Sequence, residues 1–293
     1  MSGQAHNDGI EVSFEVFPAR TDTGRAALAR LARRLARFKP EFISVTYGAG
    51  GSSRDLTEAT IRALLAAAGI PVAAHLTAAR ASRADTMAAA ERFVGMGVSR
   101  IVALRGDAEK GAPAFTPHPD GFANAAQLTA ALRERWPDLP ISVAAYPEVH
   151  PDSPSREADL DNLKAKFAAG ATDAITQFFF DNRLFTDFLR DTKARGIAGS
   201  IIPGVMLIHD FAGVRQFAAS CGASVPARLD AAFAGLRPKD GKEDRAVHDR
   251  LAAAIAARQT LDLAAAGVRR FHFYTMNKSA PAEAMCRILK PQI

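Results

Sequence analysis

The chain has 293 residues, 48% apolar and 23% charged, enough to bury a large core and solvate its surface, which excludes a disordered or fibrous protein. Its formal charge of +6, from 37 basic and 31 acidic residues scattered along helical stretches, suits anionic small molecules and offers no continuous basic stripe for nucleic acid. Only Cys221 and Cys286 are present, too few for a disulfide framework or a zinc quartet, and no apolar run reaches signal-peptide or membrane-spanning length, so a cytoplasmic protein with no membrane partner is expected.

Residues 1–10 read as a flexible N-terminal segment and 11–293 as one domain. Within it, short β-branched or aromatic runs alternate with alanine- and arginine-rich stretches of helical period, the pattern of parallel βα units. The predicted strands are Val12 to Phe17, Phe42 to Tyr47, Val72 to Thr77, Arg100 to Arg105, Ile141 to Tyr146, Ala174 to Phe180, Ser200 to Val205 and Arg270 to Thr275. Helical stretches follow them, among them Gly24 to Phe38, Arg54 to Ala68, Arg83 to Met96, Ala158 to Ala169 and Asp244 to Ala266. Gly69, Gly97, Gly196 and Gly267 each precede a strand and read as helix stops. Eight strands at a spacing near thirty residues fit a single closed (β/α)8 TIM barrel better than an open sheet. Gly106 to Gly121 reads as a long loop, and Ser220 to Lys242 as a second long connection with a short helix at Ala227 to Ala234.

In such a barrel, chemistry is built at the carboxyl ends of the strands. That filter collects Glu15, Thr46, Tyr47, His75, Thr77, Arg105, Asp107, Tyr146, His150, Gln177, His272 and Tyr274. This many titratable and hydrogen-bonding groups at one mouth points to a catalytic pocket. Glu15, between Phe14 and Val16, is costly unless paired or protonated; the alternatives are a salt bridge to a barrel cation or a carboxyl whose raised pKa suits a general acid. Asp107 could equally cap a turn or pair with Arg105, and Gln177 could serve a barrel-layer hydrogen bond. No HxxxH or CxxC pair occurs, so no metal is expected. Gly48 to Asp55, GAGGSSRD, has neither the P-loop ending nor the dinucleotide spacing, and reads as a tight turn with Ser52 or Ser53 capping the next helix.

The segments SFEVFPAR, FISVTYGAGGSSRD, AHLT, IVALRGD, ISVAAYPEVHP, DLDNLKAKFAAGATDAITQFFFD, IIPG and FHFYTMN follow the order seen in bacterial methylenetetrahydrofolate reductases, which the chain resembles from about Val12 onward. The resemblance implies an oxidoreductase of one-carbon metabolism that holds FAD at the barrel mouth and takes hydride from NADH or NADPH, with NADH the usual choice. It then reduces 5,10-methylenetetrahydrofolate to 5-methyltetrahydrofolate, feeding methionine synthesis by ping-pong kinetics. It implies Glu15 as the general acid at folate N10 and Asp107 as the carboxylate that tunes the flavin and steadies the folate cation. Gln177 resembles the residue that hydrogen-bonds the pterin, Phe217 the aromatic that stacks on folate or nicotinamide, and Tyr274 and Thr46 line the same pocket.

For FAD the matching positions are Thr46, His75, Arg105, Gly106, Asp107, Phe122, Ala123, Tyr146, His150, Asp159, Asn162 and Lys166. Arg105 and Lys166 are expected at the diphosphate, Asp159 and Asn162 at the ribose. The chain departs from the bacterial pattern at Ala165, where a second cation often stands, at Phe122, which replaces a tyrosine, and in VMLIHDF after IIPG. Bacterial members form homo-oligomers, expected here too, while the S-adenosylmethionine-binding domain of eukaryotic relatives is not expected. A flavin-free member of the family, a folate barrel that transfers a methyl group, and a folate- or flavin-binding barrel without activity stay open at this point.

Overall fold

The structure, a computed structural model, describes residues 9–47, 54–108, 111, 114–237 and 241–290. Residues 1–8 of the expected N-terminal segment, and the Gly48–Ser53 part of the expected glycine-rich turn with its two capping serines, lie outside the described residues.

Nine strands are found among the described residues: β1 Glu11–Val16, β2 Ile43–Val45, β3 Val72–Thr77, β4 Arg100–Leu104, β5 Ile141–Ala145, β6 Asp173–Thr176, β7 Ser200–Ile202, β8 Gly204–Met206 and β9 Arg270–Tyr274. Ten helices accompany them: α1 Asp22–Ala36, α2 Arg54–Ala68, α3 Arg83–Gly95, α4 Ala125–Arg135, α5 Arg156–Ala168, α6 Asn182–Ala194, α7 Phe211–Cys221, α8 Ala227–Phe233, α9 Lys242–Ala265 and α10 Ser279–Leu289. Every strand pairing is parallel, in the order β7-β6-β5-β4-β3-β2-β1-β9-β8. The two ends of that sheet are consecutive in the chain, so it forms a nearly closed barrel.

The seam is Pro203. One strand was expected over Ser200 to Val205; the chain instead pairs with β6 up to Ile202 and with β9 from Gly204 onward. Proline has no N–H to give a ladder, so the strand changes partner there, while the Pro203 carbonyl still accepts from His272 N at 3.0 Å. Gly204 lies where a Cβ would overlap the Thr176 carbonyl oxygen and the Tyr274 ring, so only glycine lets the two strands approach. β6 also ends earlier than expected, at Thr176. The three phenylalanines after Gln177 leave the sheet, Phe179 to the main core and Phe178 and Phe180 to a second apolar cluster with Met206, Val214 and Phe233.

Local signals start and stop the helices. Thr21, Ser82, Asn124, Ser155, Asp181 and Asp210 each accept a backbone N–H from the first turn of the helix they cap. Gly69, Gly97, Gly196 and Gly267 have positive φ, as a left-handed helix stop requires. On α1, Leu28, Leu31, Ala32 and Leu35 recur at helical spacing and pack with Val12, Phe14 and Val16 of β1 in the ring between sheet and helices.

The alternate residues of each strand point into the barrel and form layers. At the amino ends, Arg100 donates to Asp173 (2.9 Å), Ser142 (2.9 Å) and Glu41 (3.0 Å), while Arg270 donates to Glu41 (2.6 Å) and Asp173 (3.0 Å). Above this ionic floor lies a dry layer of Phe42, Ala73, Val102, Ile175 and Ile202. The mouth opens beyond it. Asp173 is 1% exposed, and removing it takes the buried carboxylate from Arg100 and Arg270 and leaves them only the partly exposed Glu41 to share at that level. We expect Asp173→Ala to cost about 3–5 kcal/mol in urea unfolding, and a loss below about 1 kcal/mol would show that the floor does not hold the barrel together.

Candidate active site

At the carboxyl ends of the strands is a cavity of about 780 Å³. It is lined by Glu15, Thr46, Tyr47, His75, Thr77, Arg105, Gly106, Asp107, Tyr146, His150, Gln177, His272 and Tyr274, together with Asp159, Asn162 and Lys166 of α5 and Phe217 of α7. The filter of polar strand ends thus falls on one wall. Phe122 and Ala123 do not reach it. Phe122 is buried in the main core with the Arg83 guanidinium 5.0 Å from its ring, and Ala123 uses its N–H on Gln127; the neighbouring Asn124 and Ala125 line the cavity instead.

Glu15 points from β1 toward the bottom of this cavity. Among the described residues neither a lysine nor an arginine meets it. Its Oε2 lies 3.4 Å from His75 Nε2 and 4.0 Å from His272 Nε2, and burial pushes its carboxyl up to about 8. Burial acts in the opposite sense on the rings, lowering His75 to about 4 and His272 to about 3. At neutral pH the three groups are therefore all uncharged, and Glu15 carries a proton. The Tyr274 phenol, also pushed up by burial, donates to the Thr176 carbonyl at 2.7 Å, which fixes the side chain of the residue paired with Glu15 on the neighbouring strand.

A second cluster surrounds Lys166, which is buried and donates to the Ala144 carbonyl at 2.9 Å. Loss of water lowers its ammonium to about 8, and the Asp159 carboxylate acts against that shift. Asp159, Asn162 and Lys166 share one face of α5 at a spacing of three and four residues. Asp159 also accepts the His150 N–H at 2.7 Å, and the His150 ring meets Tyr146 edge-on at 4.6 Å. Arg105 pairs with Asp152 at 2.5 Å and lies 4.7 Å from the Phe115 ring centroid; the alternative pairing with Asp107 is not the one formed. Asp107 stands exposed at the rim, its negative charge helping to raise the Tyr146 phenol.

Gly106 separates Arg105 from Asp107 at a φ of 86°, and a Cβ there would come within 2.6 Å of Ala79 Cβ. Across the mouth, Phe217 stacks on Phe178 at 5.6 Å, and Phe178 meets Tyr274 edge-on at 6.1 Å. Phe217 remains 39% exposed, an aromatic face presented to whatever enters. Gln177 takes its own neighbour's N–H, from Phe178, at 3.0 Å and lines the cavity, so it serves no barrel-layer bond. The Thr46 hydroxyl is buried with no partner among the described residues, a polar atom left over for a ligand.

Sequence reasoning missed Ser13 and Ser44, which hold the two histidines from below, and Phe178, which forms the aromatic platform. The signal was available for the serines. In EVSFEV and FISVT each sits two residues before a selected mouth residue, and so on the same face of its strand.

The methylenetetrahydrofolate reductase family model matches residues 1–290. The 5,10-methylenetetrahydrofolate reductase of Pectobacterium carotovorum is 40% identical over 280 residues, covering 96% of this chain and 90% of its own. That of Escherichia coli K12 is 39% identical over the same shares. A plant relative, the Arabidopsis thaliana protein named methylenetetrahydrofolate reductase (NADH) 1, is 33% identical over 90% of this chain and 46% of its own. Among solved structures, a Clostridium thermocellum protein described as binding two copies of 5-methyl-5,6,7,8-tetrahydrofolic acid shares the fold, with a TM-score of 0.63 at 15% identity over 97% of this chain and 95% of its own. A Stenotrophomonas maltophilia dihydropteroate synthase shares it at a TM-score of 0.53 and 15% identity, over 97% of this chain and 92% of its own. With a family model running the length of the barrel and two bacterial relatives near 40% identity, the chain belongs to the methylenetetrahydrofolate reductase family.

Proposed function

We propose that this protein reduces 5,10-methylenetetrahydrofolate to 5-methyltetrahydrofolate, with NADH as the reductant and FAD held in the barrel mouth. The observation that carries the reading is Glu15, a neutral, desolvated carboxyl at the base of a cavity walled by aromatic and hydrogen-bonding groups. Family membership supplies the substrate, and the name of the plant relative supports NADH.

The cavity suits a flavin nucleotide. The buried Thr46 hydroxyl, the buried Lys166 ammonium and the close backbone approach at Gly106 each ask for a large polar ligand. Arg105 and Lys166 would hold the diphosphate, Asp159 and Asn162 the ribose, and Thr46, His75, Tyr146 and His150 the remainder. When bound there, FAD would supply hydride transfer between nicotinamide and folate, so the two substrates would use the mouth in turn.

The chain's own part is to bind and to move a proton. Phe217, backed by the buried Phe178, offers a stacking surface to a flat ring, and Gln177 hydrogen-bonds the pterin edge. Glu15 gives its proton to N10 of the folate, which opens the five-membered ring and leaves a carbon that accepts hydride. Asp107 at the rim places negative charge beside the cation so formed. Because Glu15 must be protonated to act, folate reduction falls as pH rises through about 8.

Three outcomes check this reading. Glu15→Gln should lower folate reduction by roughly 10²–10⁴-fold while NADH still reduces the flavin, as seen in anaerobic stopped-flow of the two half-reactions; equal loss of both would sink the assignment. Lys166→Met should weaken FAD binding on the order of 10- to 100-fold in a fluorescence titration, and unchanged affinity would remove the lysine from the flavin site.

The third outcome concerns stability. A glutamate in the unfolded chain ionises near 4.5, so from 4.5 to about 8 the unfolded state releases a proton that the folded state keeps. Stability contributed by the neutral carboxyl is thus lost as pH rises across that window. Glu15→Gln should melt higher than the parent by a margin that widens over that range, and a margin independent of pH would refute the burial argument.

A further inference from the structure

The polar groups packed beneath Glu15 form two matched pairs. Ser13 of β1 stands across from His272 of β9, its Oγ 2.8 Å from Nδ1 and 3.4 Å from the Phe271 carbonyl oxygen. Ser44 of β2 stands 3.2 Å from His75 Nε2 and 3.4 Å from the Phe14 carbonyl oxygen. Both histidines direct Nε2 at the same oxygen of Glu15, and all four partners are buried.

A hydroxyl has one proton to donate, and a carbonyl oxygen can only accept. When each serine donates to its backbone carbonyl, its lone pairs require a proton on the histidine nitrogen that faces them. The two serines face different nitrogens. Ser13 then calls for His272 protonated on Nδ1, with a bare Nε2 toward Glu15, whereas Ser44 calls for His75 protonated on Nε2.

We propose that Ser13 and Ser44 are positioning residues that fix His272 and His75 in opposite tautomers, so that Glu15 faces one acceptor and one donor. The bare His272 Nε2, 4.0 Å from Glu15 Oε2, is the acceptor toward which the neutral acid turns its O–H, and a rotation of the Glu15 side chain closes that gap to hydrogen-bond distance. The His75 Nε2–H lies between Ser44 Oγ at 3.2 Å and Glu15 Oε2 at 3.4 Å, and the carboxylate left after proton transfer draws that one proton from the serine to itself. Each protonation state of Glu15 therefore has a partner within a small rotation of its own side chain, with no ring flip and no charged histidine. Burial keeps both rings neutral near neutral pH, which leaves the tautomer as the variable a serine can set. The other titratable groups whose fields couple to Glu15, Tyr274 and Cys221, are held protonated by burial and supply no competing charge. The proposal rests on the reading of Glu15 as the general acid.

The test is nitrogen NMR on the FAD-loaded protein with ¹⁵N-labelled histidine. The chain has seven histidines, and His272→Asn and His75→Asn assign the two signals. The expected result is His272 protonated on Nδ1 and His75 on Nε2; the same tautomer in both rings, or the reverse assignment, would overturn the proposal. Ser13→Ala should release His272 into a tautomer mixture and slow folate reduction roughly 10- to 100-fold, with flavin reduction by NADH held within about twofold. A Ser13→Ala protein whose His272 keeps its tautomer also overturns it, and the wild-type spectrum decides if that variant does not fold. Opposite tautomers alongside an unimpaired Glu15→Gln enzyme would uphold the serine pairing and overturn the general-acid reading, which keeps the two failures apart.

Discussion

The buried ion network at the floor of the barrel is the constraint on which the rest depends. Arg100 and Arg270, with Asp173, Glu41 and Ser142, join β4, β5, β6 and β9 and the residues leading into β2. Asp173 and Arg100 at its centre are desolvated, so their charges are tolerated only while their partners are in place. A one-residue slip of any of these strands would turn its charged residue out of the barrel and its outward apolar neighbour in. The floor therefore sets the register, and the register decides which side chains appear two and four residues later at the mouth.

Above the floor, the layer of Phe42, Ala73, Val102, Ile175 and Ile202 separates the charged base from the neutral polar groups over it. The separation is incomplete, since Arg100 still helps to lower His272. It is sufficient, together with the depth of the cavity, for desolvation to dominate at Glu15, His75 and His272. An acid that is neutral near pH 7 requires no special partner here. It requires that water and cations be kept away, which the two layers beneath it and the aromatic wall beside it do.

The seam at Pro203 shapes the other side of the mouth. Because the strand changes partner there, Gly204 comes against Thr176, the Thr176 carbonyl receives the Tyr274 hydroxyl, and Gln177 and Phe178 turn away from the sheet toward the cavity. The same departure brings Phe178 under Phe217 of α7. A break in the barrel ladder thus becomes the wall on which a flat ligand can stack.

Much of this was legible in the chain. Alternation and the glycine stops located the βα units, because strand and helix periods and the left-handed stop are local properties of a few residues. The polar strand ends identified Glu15, His75, Arg105, Gln177 and Tyr274 as one wall, because a barrel brings all carboxyl ends to one face whatever the details of packing. Other features are pairings between residues far apart in sequence, and no local pattern encodes them: Asp152 rather than Asp107 as the partner of Arg105, Phe122 turned into the core, and Ser13 and Ser44 under two histidines. Local pattern sufficed to put a carboxyl among apolar neighbours at the mouth of a barrel; it took the packing of distant segments, which keeps water and charge away from Glu15, to raise that carboxyl far above its ordinary range.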